Sequence, residues 1–268
     1  MLATKRQLMS KKRQTTILDV RGDSVAELTT LTYDYPPNHL VPPHHHREAQ
    51  LVFASKGVMT IHASKRTWVV PPQKAVWIPP GESHSIQMSK LVSMRTLYFA
   101  PKLAAKLPDS CTVLHVLPLL RELVLHCCSL RKLSLRDHAP LIQTTLAQIE
   151  SAKKMPLSIP HPQDPRARKI AEIVLQNPSD QRTLDQLCLH SGASKRTIER
   201  LFQSETGLNF GKWRQQTRLL HGVKLVGEGE KVTQAALDAG YNSPSAFISM
   251  FRKALGTTPS RYSSEVST

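Results

Sequence analysis

Acidic side chains are scarce: 20 Asp and Glu face 36 Lys and Arg in 268 residues, a formal net charge of +16. Basic surface releases counterions when it meets phosphate, so this excess suits a polyanionic partner. It does not say where on the chain that partner binds. Up to residue 165 there are 21 Lys and Arg against 11 Asp and Glu, and beyond it 15 against 9, an excess of +10 and then +6. Long apolar runs are also missing. The longest uncharged one, Leu114 to Leu120, is far short of the ~20 residues needed to cross a bilayer, so no membrane partner is expected. Residues 1 to 16 form a basic tail with Lys5, Arg6, Lys11, Lys12 and Arg13. No apolar segment follows them, which argues against a secretory signal and for a cytoplasmic protein. There are only four cysteines, Cys111, Cys127, Cys128 and Cys188. They show no C-x-x-C spacing, and the adjacent pair is poorly placed for a structural disulfide, so buried thiols in a reducing compartment are expected.

What is present divides the chain in two, as its length suits. Residues 17–105 have the texture of closely spaced strands: Leu51 to Ala54, Val58 to His62, Trp68 to Val70, Ala75 to Ile78 and Arg95 to Phe99. Turn signals such as Lys56-Gly57 and Pro79-Pro80-Gly81 separate them. Strands without intervening helices predict a small β-barrel or sandwich. Trp68, Trp77 and Met59 are expected in its core. Residues 106–155 turn Leu-rich and helical, with Pro118 and Pro140 as starts or breaks, and predict a connector that could pair two copies of the chain. Residues 156–165 carry Pro156, Pro160, Pro162 and Pro165 and read as an irregular linker. Residues 166–264 read as helical throughout. The fold class is therefore β followed by α.

The helical part repeats itself. SKRTIERLFQSETGLNFGKW from Ser194 aligns with SPSAFISMFRKALGTTPSRY from Ser243 at a constant offset of 49. Ile198, Phe202 and Gly207 meet Phe247, Phe251 and Gly256. A short amphipathic helix precedes each passage, Leu184 to His190 and Val232 to Ala239, closed by Gly192 and Gly240. Each unit is thus helix, glycine turn, helix. Ser194 and Ser243 sit at N-cap positions, and Pro244 occupies a first turn that tolerates proline. Ile198, Leu201 and Phe202 form a buried stripe in the first unit, as Phe247, Met250 and Phe251 do in the second. Lys195, Arg196, Glu199, Arg200 and Gln203 are left on one free face, and Ser245, Ser249 and Arg252 on the other. A helix with one stripe for its core and one free face can enter a major groove.

This stretch, about Arg166 to Ser264, resembles the DNA-binding domain of the AraC/XylS family of bacterial regulators, most specifically at AALDAGYNSPSAFISMFRKALGTTPSRY. The resemblance implies two helix-turn-helix motifs, about 184–205 and 232–254. A linking helix from about Leu208 to Val226 would hold them apart, with Trp213, Leu220, Val223 and Val226 facing the core. It also implies an operator of double-stranded DNA as partner, with RNA polymerase and a second copy of the chain as further candidates. The implied DNA-binding residues are Ser194, Lys195, Arg196, Thr197, Glu199 and Arg200 in the first motif and Asn242, Ser243, Ser245, Ser249 and Arg252 in the second. Arg pairs bidentately with guanine and Glu accepts from cytosine, so Arg196, Glu199 and Arg200 suit base reading. Pro244, Ser245, Ile248 and Ser249 are short or apolar, so the second helix is expected to anchor phosphate through Arg252 and its N-terminus. For Lys195 and Lys253 a solvated face and a phosphate contact stand equally.

In the front half, His44-x-His46-x-x-x-Gln50 and Pro79-x-Gly81-x-x-His84 resemble the two motifs of the cupin barrel, whose three histidines and one glutamate hold a divalent metal. Gln50 stands at the glutamate position and is a weaker ligand. Glu48 keeps strand parity but not the spacing. Three readings are open: a metal site at His44, His46, Gln50 and His84; a metal-free pocket for an organic effector at the same residues; or a pocket that has lost its use. The second is carried forward, with no cofactor required. The chain is then expected to be an effector-responsive transcription regulator, not an enzyme, with repression of a neighbouring transport gene as one outcome. The competing class is a metal-dependent cupin enzyme with a helical appendage.

Overall fold

The computed structural model describes residues 26 to 267, with side chains as far as Ser264; the basic tail, residues 1 to 16, lies outside the described residues. Eight strands open the fold: β1 (Leu28–Tyr35), β2 (His39–His44), β3 (Ala49–Lys56), β4 (Met59–Ala63), β5 (Arg66–Val70), β6 (Lys74–Ile78), β7 (His84–Met88) and β8 (Val92–Phe99). One turn of helix, α1 (Pro101–Ala104), leads to β9 (Thr112–His115), α2 (Pro118–Leu130), β10 (Lys132–Leu133), α3 (Leu135–Ser151), β11 (Lys154–Met155) and β12 (Ser158–Pro160). The strands make two antiparallel sheets, ordered β10-β1-β8-β3-β6-β9-β11 and β12-β5-β4-β7-β2.

Alternation along the strands sorts the side chains between two cores. In β3, Val52 and Ala54 point between the sheets, where they meet Met59, Ile61, Trp68 and Ile86. Leu51 and Phe53 point the other way, into a second cluster completed by Leu120 and Val124 of α2 and Ile142 and Ile149 of α3. Trp77 belongs to this outer cluster and donates its indole N–H to the Pro108 carbonyl at 2.8 Å. The connector helices therefore cover one face of the seven-stranded sheet, as an amphipathic stripe requires. Pro118 starts α2, while Pro140 lies inside α3, where His138 leaves helical geometry. A proline ring displaces the helix at the preceding turn, which accounts for that kink.

The front domain runs further than residue 105. β9 and β11 extend the large sheet, so the predicted helical connector begins and ends in strand. Residues 156–165, expected as an irregular linker, are irregular at 156, 157 and 161–164 but form a short strand between. Ser158–Pro160 pairs with β5 in register Ser158↔Trp68, Ile159↔Thr67 and Pro160↔Arg66. β12 is an edge strand, and an edge tolerates a residue with no N–H to donate. Of the cysteines, only Cys127 is fully buried; Cys111, Cys128 and Cys188 are partly exposed, and all four are free thiols.

Seven helices follow: α4 (Pro165–Gln176), α5 (Leu184–Cys188), α6 (Lys195–Thr206), α7 (Phe210–Gly227), α8 (Val232–Asp238), α9 (Pro244–Leu255) and α10 (Pro259–Ser267). α5 with α6 and α8 with α9 are the two expected helix-turn-helix units, and α7 is the linking helix. Trp213, Leu220, Val223 and Val226 are all buried along it. Gly222 sits mid-helix at a cost of about 1 kcal/mol relative to Ala. Its reason is close packing: a Cβ there would stand 2.4 Å from the Phe247 ring of α9.

The two halves share one core. Residues between the sheets and residues along α4 to α10 form a single buried cluster, and a Cβ on Gly227 of α7 would stand 2.8 Å from Val58 of the front domain. Lys90 pairs with Glu230 across the same seam at 3.2 Å.

Candidate functional site

The offset of 49 reaches individual hydrogen bonds. Ser194 Oγ accepts from Thr197 N–H at the start of α6, and Ser243 Oγ accepts from Ala246 N–H at the start of α9, both at 3.3 Å. Gly207 and Gly256 end these helices with φ of 72° and 77°, donating to the carbonyls of Gln203 and Arg252. A left-handed C-cap is the conformation that glycine adopts most cheaply. Asn209 and Thr258 then cap the next helices at Lys212 and Arg261. The last matched pair is Trp213 and Tyr262. Trp213 donates its indole N–H to the Pro160 carbonyl at 2.7 Å, and Tyr262 donates its hydroxyl to the Pro72 carbonyl at 2.9 Å. Equivalent aromatics of the two repeats thus bind proline carbonyls of the front domain. The repeat made this pair visible in the sequence, but its front-domain acceptors were not foreseen.

On the free face of α6, Arg196, Glu199 and Arg200 are exposed. Among the described residues, neither arginine is engaged in an ion pair. Lys195 is different: its ammonium lies 2.9 Å from the Asp185 carboxylate of α5, which raises its pKa by hydrogen bonding. Both side chains of this pair remain largely exposed to solvent. Thr197 is half-buried, with its hydroxyl 3.0 Å from Ser194 Oγ. On α9, Ser245, Ser249 and Arg252 are exposed and line a shallow surface groove with Ile248 and Lys253. Asn242 is exposed and Ser243 half-buried just before the helix. Met250 is only half-buried and accepts from Gln215 Nε2 at 3.5 Å, so the second stripe is narrower than expected.

At the other end of the molecule the structure brings together His44 at the end of β2, His46 in the following loop, Gln50 on β3 and His84 at the start of β7. Each histidine offers a ring nitrogen, and these atoms all lie within 4.8 Å of one another. His45 between them is exposed, and Glu48 is not in the group. All three Nδ1 atoms face a backbone carbonyl two residues away: His44 to Pro42 at 2.9 Å, His46 to Glu48 at 2.7 Å and His84 to Glu82 at 2.9 Å. In the His44 and His84 rings Nδ1–H therefore donates and Nε2 carries the lone pair, whereas both nitrogens of His46 face an oxygen. His46 Nε2 lies 3.2 Å from Gln50 Oε1. His84 Nε2 is buried with no hydrogen-bond partner. Burial pulls the His84 pKa down to about 4 and that of His44 below its usual value, so both rings are neutral at pH 7.

Behind the histidines, on the inward face, lie hydroxyls that the sequence reading missed. Tyr98 pairs with Gln50 in the sheet and hydrogen-bonds its side chain. Tyr35 Oη and Thr96 Oγ1 are buried without partners. Strand parity carried the signal: with Gln50 inward on β3, its register partner Tyr98 and, two residues on, Thr96 must face inward on β8.

Comparison with known proteins agrees with both halves. Residues 29–159 match the model of an AraC-like ligand binding domain, and residues 187–265 that of a helix-turn-helix domain. The chain is 34% identical over 229 residues to the HTH-type transcriptional regulator NimR of Escherichia coli K12, covering 85% of this chain and 84% of that one. It is 31% identical over 103 residues to the HTH-type transcriptional regulator RipA of Corynebacterium glutamicum, covering 38% of this chain and 31% of that one. Unsaturated-fatty-acid-bound ToxT of Vibrio cholerae aligns over 91% of this chain and 97% of its own, at 13% identity and a TM-score of 0.37, a likeness too weak to build on. Paired recognition helices capped alike, a strand-built ligand-binding-type domain before them and a near full-length regulator as relative place this chain in the AraC family of DNA-binding transcription regulators.

Proposed function

We propose that the chain senses a small molecule with its front domain and answers by changing how α6 and α9 are presented to an operator. The observation that carries this reading is the pair of equivalent contacts, Trp213 to Pro160 and Tyr262 to Pro72. Both reading units are tied to the sensing domain across one continuous core, so a ligand that reshapes the sandwich biases both together. A ligand acts only through its differential affinity for the two arrangements. The His44, His46, Gln50 and His84 cluster, with the hydroxyls of Tyr35, Thr96 and Tyr98, supplies polar groups for such a ligand among apolar walls.

In this reading the front domain turns nothing over, and Gln50 in place of a carboxylate supports that. The protein works where its operator lies, in the cytoplasm; no helix among the described residues is long and apolar enough to cross a membrane. Exposed leucines along the connector, Leu117, Leu119 and Leu130, support a homodimer, and RNA polymerase is the partner through which an activating form would act. Genomic footprinting with the purified full chain supplies the operator. A compound screen by thermal shift then supplies ligands, and each stabilising ligand is tested for its effect on operator affinity. Ligands that stabilise the wild type but not His84→Ala are expected to change wild-type operator affinity by several-fold. If they leave it unchanged, the coupling is refuted.

A further inference from the structure

Two reading units at the ends of one helix can share a duplex only if they are turned correctly relative to each other. α7, with 18 residues, is about 27 Å long and so sets their separation. Its length does not set their rotation, which depends on what each unit touches around it. One place in the fold joins all three parts. Arg218, midway along α7, applies one edge of its guanidinium to the turn that leads from α4 into the first unit. Nε donates to the Pro178 carbonyl at 3.0 Å and Nη2 to the Asp180 carbonyl at 2.8 Å. Nη2 also lies 3.3 Å from Gln181 Oε1. The amide of the same Gln181 donates to the Gly240 carbonyl, in the turn of the second unit, at 3.3 Å. A planar guanidinium that holds two acceptors on one edge fixes direction as well as distance.

The two units meet directly at this joint. Gly240 is buried with φ of 80°, and a Cβ on it would stand 2.7 Å from Ser179 Cα and 2.9 Å from the Pro178 carbonyl oxygen. Gly192, the turn glycine of the first unit, also has a positive φ, yet a Cβ there would meet no described atom within 4 Å. Turn geometry accounts for glycine at both positions, whereas only Gly240 is also needed for close approach. Short connections run from the joint to both recognition helices. Arg182 pairs with Asp180 inside the turn, and Thr183 then starts α5 in a capping box with Gln186. On the other side Tyr241, next to Gly240, packs its ring 5.2 Å from that of Phe247 in α9. We infer that Arg218, with Gln181 and Gly240, sets the phase between α6 and α9 and hence the operator spacing that the protein accepts. Arg218 is a positioning residue: it acts through the two units and reads no base itself.

This role rests on α6 and α9 reading one operator together and on no ligand in the front domain. The test uses the full chain and the operator found by footprinting, with one base pair added or removed between the two protected stretches. Such a change shifts one stretch by roughly 3.4 Å and turns it by roughly 34° about the duplex axis. The wild type should bind these variants about tenfold or more weakly than the native spacing. Arg218→Met keeps the apolar stem and removes the donors. Its spacing penalty should shrink to about threefold or less, while the rank order of base substitutions within each stretch stays that of the wild type. Equal weakening at every spacing marks a loss of stability alone and overturns the role, as does an altered base preference. Should Arg218→Met fail to fold by circular dichroism, Gln181→Ala decides. That position is exposed, the change removes the bond to Gly240, and an unchanged spacing penalty overturns the role. A wild type that protects a single stretch or ignores spacing removes the paired reading, and the role with it. A strict wild type with equally strict variants removes the role alone.

Discussion

Arg200 and Arg252 fall one on each of the helices that repeat at an offset of 49, and different tasks are expected of them. Arg200 follows Glu199 on an exposed face of α6 rich in hydrogen-bonding groups, where a guanidinium can take both acceptors of a guanine. Arg252 stands in a shallow groove with Ser245, Ile248, Ser249 and Lys253, and is expected to meet backbone phosphate. Arg200→Ala should therefore cost about 1–3 kcal/mol on the preferred operator and relax the preference at one or two base pairs. Arg252→Ala should weaken all sequences alike and flatten the salt dependence by roughly one unit of slope. Binding to a panel of operator variants at several salt concentrations separates the two. A uniform loss for Arg200→Ala with altered preference for Arg252→Ala would invert the roles. Lys195 also lies near Asp185, 2.9 Å from its carboxylate. Its pairing needed the tertiary approach of α5 to α6, which spacing along the chain does not reveal.

Among the elements, those with a strong period were legible and those at edges were not. α6, α7 and α9 announce themselves through capping residues and a buried stripe, and β3, β4, β5 and β6 through β-branched and aromatic runs. β2 and β12 escaped notice because each holds proline, at Pro42-Pro43 and Pro160, and proline reads as punctuation. Both are sheet edges, the one place where a missing N–H is harmless. β1 and β7 mix Thr, Ser, His and Gln into their faces, since their inward positions serve the polar interior as well as the core. The candidate histidines were legible through the resemblance of their segments to the cupin motifs, whereas Tyr35, Thr96 and Tyr98 required the register. The join between α7 and α9 yields a prediction at this scale. Gly222→Ala gains about 1 kcal/mol of helix propensity but drives a methyl into the fully buried Phe247 ring, an overpacking that costs about 1–3 kcal/mol or more. Chemical denaturation should show a net loss of stability, and a variant as stable as the wild type would contradict the tight crossing.

Across the whole molecule, the proline-rich stretch that looked like a boundary is a seam. Trp213 and Gln216 of α7 bind the carbonyls of Pro160, Ser158 and Pro156, so a reader cut at Asp164 would expose part of α7 and leave the Trp213 indole without its acceptor. The basic excess is spread over both halves, and specificity must come from the geometry of α6 and α9. Hydroxyl-radical footprinting of the full chain on its operator measures that geometry directly. Two protected stretches on one face of the duplex, about one helical turn or ~34 Å apart, are predicted for each bound chain, with Arg200→Ala altering the sequence preference of only one of them. A single protected stretch per chain, or protection that ignores sequence, would contradict a reader built from two repeated recognition helices.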